Sequence, residues 1–372
     1  MKNLISQSSN PQSRLERLGM TETMRSVIFK GQGTLELEDR AVPHVEAPDD
    51  IILKVKAVGI CGSDLHILDV PPTHPAKPGV IFGHEFCGEV VEIGSDVNNL
   101  AIGDLVAIDQ NPPCGRCASC RTGSPNFCEV VFDNPEADES GWSNTPGQWW
   151  DGGMAEYVRV PSYFAYPVGD TVPMEQIVVA EPLGCVLNGI HKAGVNADET
   201  VVIMGGGPVG LLATMAVKNL GAGKVIVVEP AGDRRRLAED VGADVTIDPS
   251  AGDVAKLIRR AAGSDGPTLI YEAVGSQLDV AVEVAANEAR IVVVGINSSI
   301  RASFPVVEIV KKELRIVGAF LMRYTMQEAL DLIQSNSIAV SKIVTHVLPL
   351  QDVHEGIRLA RSGEAVKVVF TP

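Results

Sequence analysis

The sequence predicts an α/β fold with two domains, one small and rich in strands and the other built on a doubly wound parallel sheet. The 372 residues exceed the size at which a single hydrophobic core usually stops growing. The first part of the chain alternates short β-rich runs with Gly and Pro turns. After Glu181 the pattern changes to strands followed by long helices, which is typical of a parallel sheet covered on both faces.

The strand-rich part runs from Ser26 to about Asp109. Its apolar runs are SVIF, IILKVKAV, GEVVEIG and DLVAI, each too short for a helix and each bounded by turn residues. We expect a small, irregular domain of antiparallel strands.

The second part repeats a strand and helix unit. TVVIMG precedes the apolar helix PVGLLATMAVKNLG, KVIVVEP precedes a helix around 235–241, and LIYEAV and IVVVGI follow as further strands. The last forty-odd residues combine a helix, MQEALDLIQSNS, with the strands HVLPL and AVKVVF, and we expect them to fold back onto the first domain. No internal repeat is evident.

These patterns place the domain boundaries. We expect a flexible N-terminal extension over 1–24, a strand-rich domain over 25–181 and 326–372, and a doubly wound domain over 182–325. The extension lacks the apolar core of a secretory signal, so we predict a cytoplasmic protein; an organellar transit peptide is the alternative.

Composition and charge exclude several classes of protein. With 45% hydrophobic residues, 36 Gly and 23 Pro, the chain suits a turn-rich globular fold and not a coiled coil or a disordered protein. The formal net charge of −16 repels phosphate backbones and anionic membrane surfaces, so neither nucleic acid nor a membrane is expected as a partner. Seven cysteines in a reducing compartment are more often metal ligands or buried apolar residues than disulfides.

Four of the cysteines lie in one loop, CGRCASCRTGSPNFC, as a C-x2-C-x2-C-x7-C array formed by Cys114, Cys117, Cys120 and Cys128. Four thiolates satisfy the closed tetrahedral coordination of structural zinc. An iron–sulfur cluster is the rival interpretation, although the bacterial ferredoxin run has a shorter last spacing and a Pro where Glu129 stands here. Disulfides are the third.

A glycine-rich turn indicates a dinucleotide site. The run GGGPVG follows a strand and opens a helix. It places Gly205, Gly207 and Gly210 at the glycine positions of G-x-G-x-x-G, with Pro208 and Val209 between the last two. Glu229 ends the next strand, where an acid accepts hydrogen bonds from a ribose 2′-hydroxyl and repels the 2′-phosphate of NADP.

A second set of metal-ligating residues is spread along the chain: Cys61 in GICGSDLH, His84 and Glu85 in GHE, and Glu181 in AEPLG. Together with the cysteine array and the glycine turn, in this order, the chain resembles the zinc-dependent medium-chain dehydrogenase/reductase family, which includes alcohol, sorbitol and threonine dehydrogenases. The resemblance runs from about Ser26 to Phe370. It implies that the strand-rich domain is GroES-like and that the second domain is a Rossmann fold.

The resemblance implies a catalytic zinc held by Cys61, His84 and a carboxylate, either Glu85 or Glu181, with one coordination position open. Sorbitol-type members carry Glu-Pro at the position of Glu181, which favours polyols and secondary alcohols. Ser63 and His66 match the hydroxyl and imidazole of the family's proton relay, and Asp64 matches a residue that supports the ligands.

Other residues near the motifs have simpler interpretations. Cys87 and Cys185 lie in apolar runs and His191 opens the second domain, so we expect packing roles for all three. In the family a base at the offset of Arg234 commonly contacts the ribose, while Arg235 and Arg236 are expected to be solvated helix surface.

The predicted function is NAD-linked oxidation of a secondary alcohol or polyol, or the reverse reduction, with two zinc ions per chain. An NADPH-preferring aldehyde or ketone reductase and a catalytically silent binding protein are the alternatives. The resemblance also implies a homo-oligomer, a tetramer rather than a dimer. The segment 129–151 holds all three tryptophans, Trp142, Trp149 and Trp150; we expect either a surface loop or subunit contact, or an aromatic wall of the substrate cleft.

Overall fold

The computed structural model describes residues 21–133 and 144–372. The strands in chain order are β1 (Thr23–Gly31), β2 (Thr34–Ala41), β3 (Asp50–Gly59), β4 (Glu85–Ile93), β5 (Leu105–Ile108), β6 (Tyr157–Pro161), β7 (Ala165–Val168), β8 (Thr200–Met204), β9 (Lys224–Val228), β10 (Val245–Ile247), β11 (Leu269–Glu272), β12 (Arg290–Val293), β13 (Arg315–Gly318), β14 (Val344–Pro349) and β15 (Lys367–Thr371). The α-helices are α1 (Gly62–Ile67), α2 (Ala118–Arg121), α3 (Glu129–Phe132), α4 (Met174–Ile177), α5 (Ala180–Ala193), α6 (Pro208–Asn219), α7 (Gly232–Asp240), α8 (Val254–Ala262), α9 (Leu278–Val284), α10 (Val306–Lys312), α11 (Met326–Gln334) and α12 (Val353–Ser362).

The first sheet is antiparallel in most of its pairs and has the order β14-β15-β3-β4-β5-β7, with β6 paired to β3. Strand β3 is its centre: β4 pairs along its whole length, β6 pairs with its first half, and β15 pairs with its last two residues. Because β14 and β15 come from the end of the chain, residues more than three hundred positions apart meet beside β3. Strands β1 and β2 form a separate hairpin.

The second sheet is parallel throughout and has the order β10-β9-β8-β11-β12-β13. Counted within that sheet this is the order 3-2-1-4-5-6, which confirms the predicted doubly wound fold. The strand order reverses between β8 and β11, and ligands of such sheets bind beyond the carboxyl ends of the strands at that point.

Buried strands and apolar helices build the cores. β8 and β11 are almost completely buried, as expected when helices cover both faces of a parallel sheet. Helix α5 contributes an almost continuous set of buried residues to a core cluster that has members from both sheets, and it contacts α6 and α11. Glu181 lies in the first turn of this helix, so a residue of the site is fixed by the largest core cluster.

The structure shifts some predicted limits. Strand β1 begins at Thr23 and Met24 within it is buried, so residue 24, the expected end of the extension, lies inside a strand. The expected boundary at 181 falls within α5, and the helix expected around 235–241 spans Gly232–Asp240. Residues 1–20 of the extension lie outside the described residues. None of the helices in the described residues has the length and hydropathy that a membrane span requires.

Candidate active site and metal centres

The site begins where β3 ends and α1 starts. Cys61 caps α1, and its backbone N–H donates to the Asp64 carboxylate over 2.9 Å, which closes a capping box around the first turn. Asp64 is fully buried, and its other oxygen lies 3.2 Å from His84 Nδ1. One carboxylate therefore fixes the backbone of Cys61 and the ring of His84.

This contact decides which nitrogen of His84 is available. With Nδ1 facing Asp64, the ring presents Nε2 to a metal, the arrangement in which a carboxylate orients a zinc-bound histidine. Burial alone lowers the pKa of His84, but the charge of Asp64 outweighs it and holds the pKa well above its ordinary value.

Two buried carboxylates flank this pair, and each has its own partner. Glu85 forms an ion pair with Lys367. Glu181 accepts a hydrogen bond from Gln110 Nε2, and Cys185 Sγ donates to the same Glu181 oxygen over 3.6 Å. Burial, and after it the charge of Glu85, raise the pKa of Glu181 to about 7.

Lys367 and Gln110 are contacts of the site that the sequence did not predict. Both are almost inaccessible to solvent. Lys367 opens β15 and Gln110 lies just after β5, and neither residue belongs to a motif. A lysine inside AVKVVF, a run that reads as a buried strand, was the only signal, because lysine is almost never fully buried unless it is paired.

The predicted relay residues lie on α1. Ser63 is partly buried in the first turn, and His66 is exposed one turn later. His66 Nδ1 lies 3.1 Å from Thr73 Oγ1 and 3.4 Å from Asp69 Oδ2, so the ring is oriented from its outer side.

The four-cysteine loop folds into a small lobe around α2. Cys114 Sγ lies 4.0 Å from Cys120 Sγ, and backbone N–H groups of Cys117 and Cys120 point at the preceding sulfurs over 3.4 and 3.5 Å. Backbone hydrogen bonds from Arg116 and Cys117 lower the pKa of the Cys114 thiol to about 6, which favours the thiolate that metals bind.

Both ligand sets fit zinc on the chemistry of their donors. The sulfurs of Cys114, Cys117, Cys120 and Cys128 lie within 4.8 Å of one another, and all four cysteines are free thiols. Zinc–sulfur bonds of about 2.3 Å in a tetrahedron place sulfurs about 3.8 Å apart, close to the observed 4.0 Å. The sulfur, nitrogen and oxygen of Cys61, His84 and Glu85 also lie within 4.8 Å, and they are the donors that zinc prefers.

The glycine turn lies at the carboxyl end of β8. Gly205 has a φ of +103°, and a side chain on Gly210 would clash with the Gly205 carbonyl oxygen, so both positions require glycine. Gly207 caps α6, with Pro208 and Val209 in its first turn. The turn therefore leads into the N-terminus of an apolar helix at the crevice of the sheet, as a pyrophosphate site requires.

Glu229 closes this turn. Its oxygens accept from the backbone N–H groups of Gly206 over 2.7 Å and Ala231 over 2.9 Å. Arg234 reaches the carbonyl of Ala365 over 3.3 Å and so links α7 to the C-terminal segment.

Two of the lesser predictions change. Arg235 is not solvated helix surface, because its guanidinium donates to the Glu229 and Pro230 carbonyls and pairs with Asp248 over 3.0 Å. Arg236 is exposed, as expected, and pairs with Asp233. Cys185 contacts Glu181 and so borders the site.

The other two residues assigned to packing differ in their surroundings. Cys87 is completely buried, with its thiol donating to the Met174 carbonyl over 3.2 Å. His191 lies at the surface and faces Glu328 over 3.2 Å.

The described tryptophans lie among packed groups. Trp150 meets Phe164 edge to face with ring centroids 5.7 Å apart, and its indole N–H donates to the Asn144 carbonyl. Both contacts lie within the chain, so they test neither the subunit contact nor the substrate-cleft prediction for Trp150. Trp149 is buried, and its indole N–H has no hydrogen-bond partner among the described residues. Its predicted place in a substrate cleft stays a prediction. Trp142 lies outside the described residues.

Comparison with known proteins finds a matching family in each half of the chain. Residues 47–170 match the alcohol dehydrogenase GroES-like domain, and residues 208–335 match the zinc-binding dehydrogenase family. Among curated proteins, a probable D-xylulose reductase A from Emericella nidulans is 31% identical, with 93% of this chain and 95% of that protein aligned. A sorbitol dehydrogenase from Bombyx mori is 30% identical over 94% of this chain and 99% of that protein.

Solved structures of similar proteins share the fold of this chain. A putative zinc-binding dehydrogenase from Sinorhizobium meliloti 1021, bound to NADP, has a TM-score of 0.86 and 33% identity and covers 95% of this chain and 100% of its own. A protein described as a short chain alcohol dehydrogenase from Escherichia coli CFT073, complexed with NADH, has a TM-score of 0.84 and 29% identity over 95% of this chain and 100% of its own. The GroES-like and Rossmann assignments are thereby confirmed.

Proposed function

The chain belongs to the zinc-dependent medium-chain dehydrogenase/reductase family, and from this premise we propose the reaction and the residues that perform it. It is an oxidoreductase that transfers hydride between a nicotinamide cofactor and a secondary alcohol or polyol. The observation that carries the proposal is the convergence of Cys61, His84 and Glu85, three zinc donors from two separate segments, within 4.8 Å.

We propose that Cys61, His84 and one buried carboxylate hold the catalytic zinc and that the four-cysteine lobe holds a second, structural zinc. A bound catalytic zinc acts as a Lewis acid and lowers the pKa of an alcohol hydroxyl, which prepares the carbinol carbon to release hydride. Asp64 keeps the His84 ring oriented for this task, since its carboxylate touches both ligand segments.

The proton of the alcohol leaves through side chains of this chain. We propose that Ser63 takes it first and that His66, one turn further along α1, passes it to solvent. The exposure of His66 supports this direction, because the last group of a relay must reach water. Thr73 and Asp69 both contact the ring at Nδ1, which orients it.

We propose NAD as the preferred cofactor. Glu229 is 6% exposed and is held at the glycine turn by two backbone N–H groups, so the 2′-phosphate of NADP would meet a fixed negative charge. An NADPH-preferring reductase is the second candidate, since one similar structure was solved with NADP.

The test is a panel of polyols, vicinal diols, amino alcohols and bulky cyclic alcohols, scored by reduction of NAD and of NADP. We expect turnover of a polyol or secondary alcohol with NAD, and none by a Cys61→Ala control. Higher kcat/KM with NADP would favour the reductase. Metal-loaded protein that turns over no alcohol or ketone with either cofactor would indicate a silent binding protein.

We also propose a homo-oligomer, with the tetramer favoured by resemblance. Strand β13 is an edge strand of the parallel sheet, and α10 beside it exposes Val306, Val307 and Val310 at 70%, 47% and 71%. A second copy would cover this apolar edge. Light scattering should give a multiple of the 39.5 kDa chain, and Val310→Asp should reduce it.

We propose the domain division over 25–181 with 326–372 and over 182–325, although its limits at 24 and 181 fall within β1 and α5, because β14 and β15 belong to the first sheet. A cytoplasmic location is proposed on the same footing, because two thiolate-containing metal sites require reduced cysteines.

A further inference from the structure

The segment that joins the last strand of the parallel sheet to α11 has an unusual backbone. This crossover segment, residues 319–325, leads the chain from β13 back toward the first sheet, whose strands β14 and β15 follow α11. Leu321 and Tyr324 within it have φ of +54° and +57°, the left-handed region that bulky residues rarely adopt. Such a backbone persists only where surrounding contacts hold it, and it is found at ligand sites and switch segments.

One set of contacts to the crossover segment comes from α5. The buried Asn188 donates from Nδ2 to the carbonyl oxygens of Phe320 over 3.2 Å and Leu321 over 2.8 Å. Thr325 Oγ1 donates to the Gly184 carbonyl over 2.7 Å. Since α5 carries a residue of the candidate active site in its first turn, these bonds tie the crossover segment to that site.

Another set of contacts comes from the four-cysteine lobe, from the stretch 121–127 between its third and fourth cysteines. Asn126, which is 5% exposed, donates from Nδ2 to the same Phe320 carbonyl over 3.0 Å. The Phe127 and Phe320 rings stack with centroids 6.5 Å apart, and the Arg323 guanidinium donates to the Gly123 carbonyl. The seven residues before the last cysteine therefore supply a surface that holds the crossover segment.

The crossover segment begins at the edge of the parallel sheet where a dinucleotide is expected. The Ala319 N–H donates to the Val293 carbonyl at the end of β12, and the Val294 N–H donates to the Glu272 carbonyl at the end of β11. Dinucleotides bind beyond the carboxyl ends of doubly wound strands, across the two halves of the sheet. The glycine turn and Glu229 belong to the half formed by β8–β10, so we expect the second nucleotide of the cofactor over β11–β13.

We propose that the stretch 121–127 positions the crossover segment for the cofactor, so that metal in the lobe and a nicotinamide nucleotide in the parallel sheet bind cooperatively. A metal that holds Cys120 and Cys128 fixes both ends of this stretch, and Asn126 then holds the Phe320 carbonyl in place. The inference rests on the proposed cofactor site and lobe metal and adds a link between them. Asn126 and Arg323 are positioning residues.

Cooperative binding is reciprocal, so the factor by which lobe metal raises the affinity for NADH must equal the factor by which NADH raises the affinity for the metal. We expect a factor of about 5 to 10, at the lower end of the usual range for coupled sites. NADH fluorescence and chelator competition for zinc measure the two affinities on full-length Cys61→Ala, in which the lobe is the remaining proposed metal site. Cobalt bound by the four thiolates reports the lobe separately in the wild-type chain.

Two variants remove the contacts from opposite sides. Asn126→Ala deletes the hydrogen bond to Phe320 and should bring both factors close to one. Arg323→Met deletes the contact with Gly123 from a partly exposed side chain, and it should lower both factors in the same direction. The double variant should lose less than the sum of the two, because both changes release the same segment.

Thr122→Val is the matched control. Thr122 lies in the same stretch, but among the described residues its hydroxyl donates only within the lobe, to the Ala118 carbonyl over 3.0 Å and the Ser119 carbonyl over 3.2 Å. The variant also removes a bond from a side chain to the backbone. It should keep both factors at their wild-type values, since the crossover segment is untouched.

The outcomes separate this link from a purely structural lobe. An affinity for the lobe metal that NADH leaves unchanged would overturn the proposal, and so would wild-type cooperativity in Asn126→Ala and Arg323→Met. If circular dichroism shows that one of these variants fails to fold, the other decides. Cooperative binding in a chain that oxidises no alcohol would refute the proposed function and support this inference. NADPH is titrated in parallel, and it replaces NADH as the probe if it binds more tightly.

Discussion

The four-cysteine lobe and the Cys61 site are both suited to one zinc ion, but the chain builds them in opposite ways. The lobe takes all four proposed ligands from 114–128, and backbone N–H groups of the same loop point at the sulfurs. The Cys61 site takes its proposed ligands from the end of β3 and the start of β4, and the contacts that hold their side chains come from β15 and the segment after β5. A local site depends on its loop alone, whereas an assembled site depends on the whole fold around it.

The variant with the largest expected effect should lose activity while keeping its fold. Cys61→Ala should lower kcat/KM by about 10³-fold or more, the equivalent of several kcal/mol of lost charge stabilisation. The thermal midpoint should move little, because the site is held by strands and not by its metal. Circular dichroism and metal analysis should show a folded chain with one zinc ion. A chain that unfolds when Cys61 is replaced would contradict the distinction.

Cys117→Ala is the reciprocal variant. The lobe has little core of its own, so its metal contributes folding energy directly, and we expect Tm to fall by roughly 10 °C. Ser119→Ala, in the same loop, is the control and should leave Tm unchanged. If Cys117→Ala kept its Tm but lost all activity, the reaction would take place at the lobe and not at the Cys61 site.

Asp109 lies at the end of β5, where the first sheet leads into the lobe. Burial raises its pKa from the ordinary 3.8 to about 6. The folded state therefore favours the protonated form, and its stability declines as pH rises from about 4 to 6. Asp109→Asn should stabilise the protein at pH 8 by up to about 3 kcal/mol, since each pKa unit is worth about 1.4 kcal/mol.

The gain from Asp109→Asn should shrink as pH falls toward 4 and stay flat above about pH 7. Denaturant unfolding at a series of pH values measures it. Asp104→Asn, at the other end of β5 and partly open to solvent, should show no such gain. A gain independent of pH would mean that packing, and not charge, limits this position.

The glycines of the nucleotide turn are neighbours in the sequence, whereas its acid, Glu229, comes from the end of the next strand. Glu229→Ala should reduce the preference for NAD over NADP by about 1–3 kcal/mol, the value of hydrogen bonds to a charged group. The ratio of kcat/KM for the two cofactors measures it, with Glu239→Ala on α7 as the control. An unchanged ratio would place cofactor choice elsewhere.

The same contrast explains what the sequence could predict. The fold, the cysteine array and the glycine turn follow from spacing and periodicity, because each is written in neighbouring residues. Lys367 and Gln110 were missed because their roles arise only when β15 and β5 are placed beside the ligands. Arg235 was misjudged for the same reason, since Asp248 approaches it from β10's following loop.

Because β15 lies beside β3, the two candidate metal sites are completed at different times during synthesis. Lys367 and Ile60 are 307 residues apart, and at about 5–20 residues per second their synthesis is separated by roughly 15–60 seconds. The four-cysteine lobe needs only its own loop, so it can acquire a metal while the parallel sheet is still being made. The Cys61 site waits for a strand that emerges after that sheet. We therefore expect the nascent chain to load the lobe first and to become an enzyme only when β15 closes the first sheet.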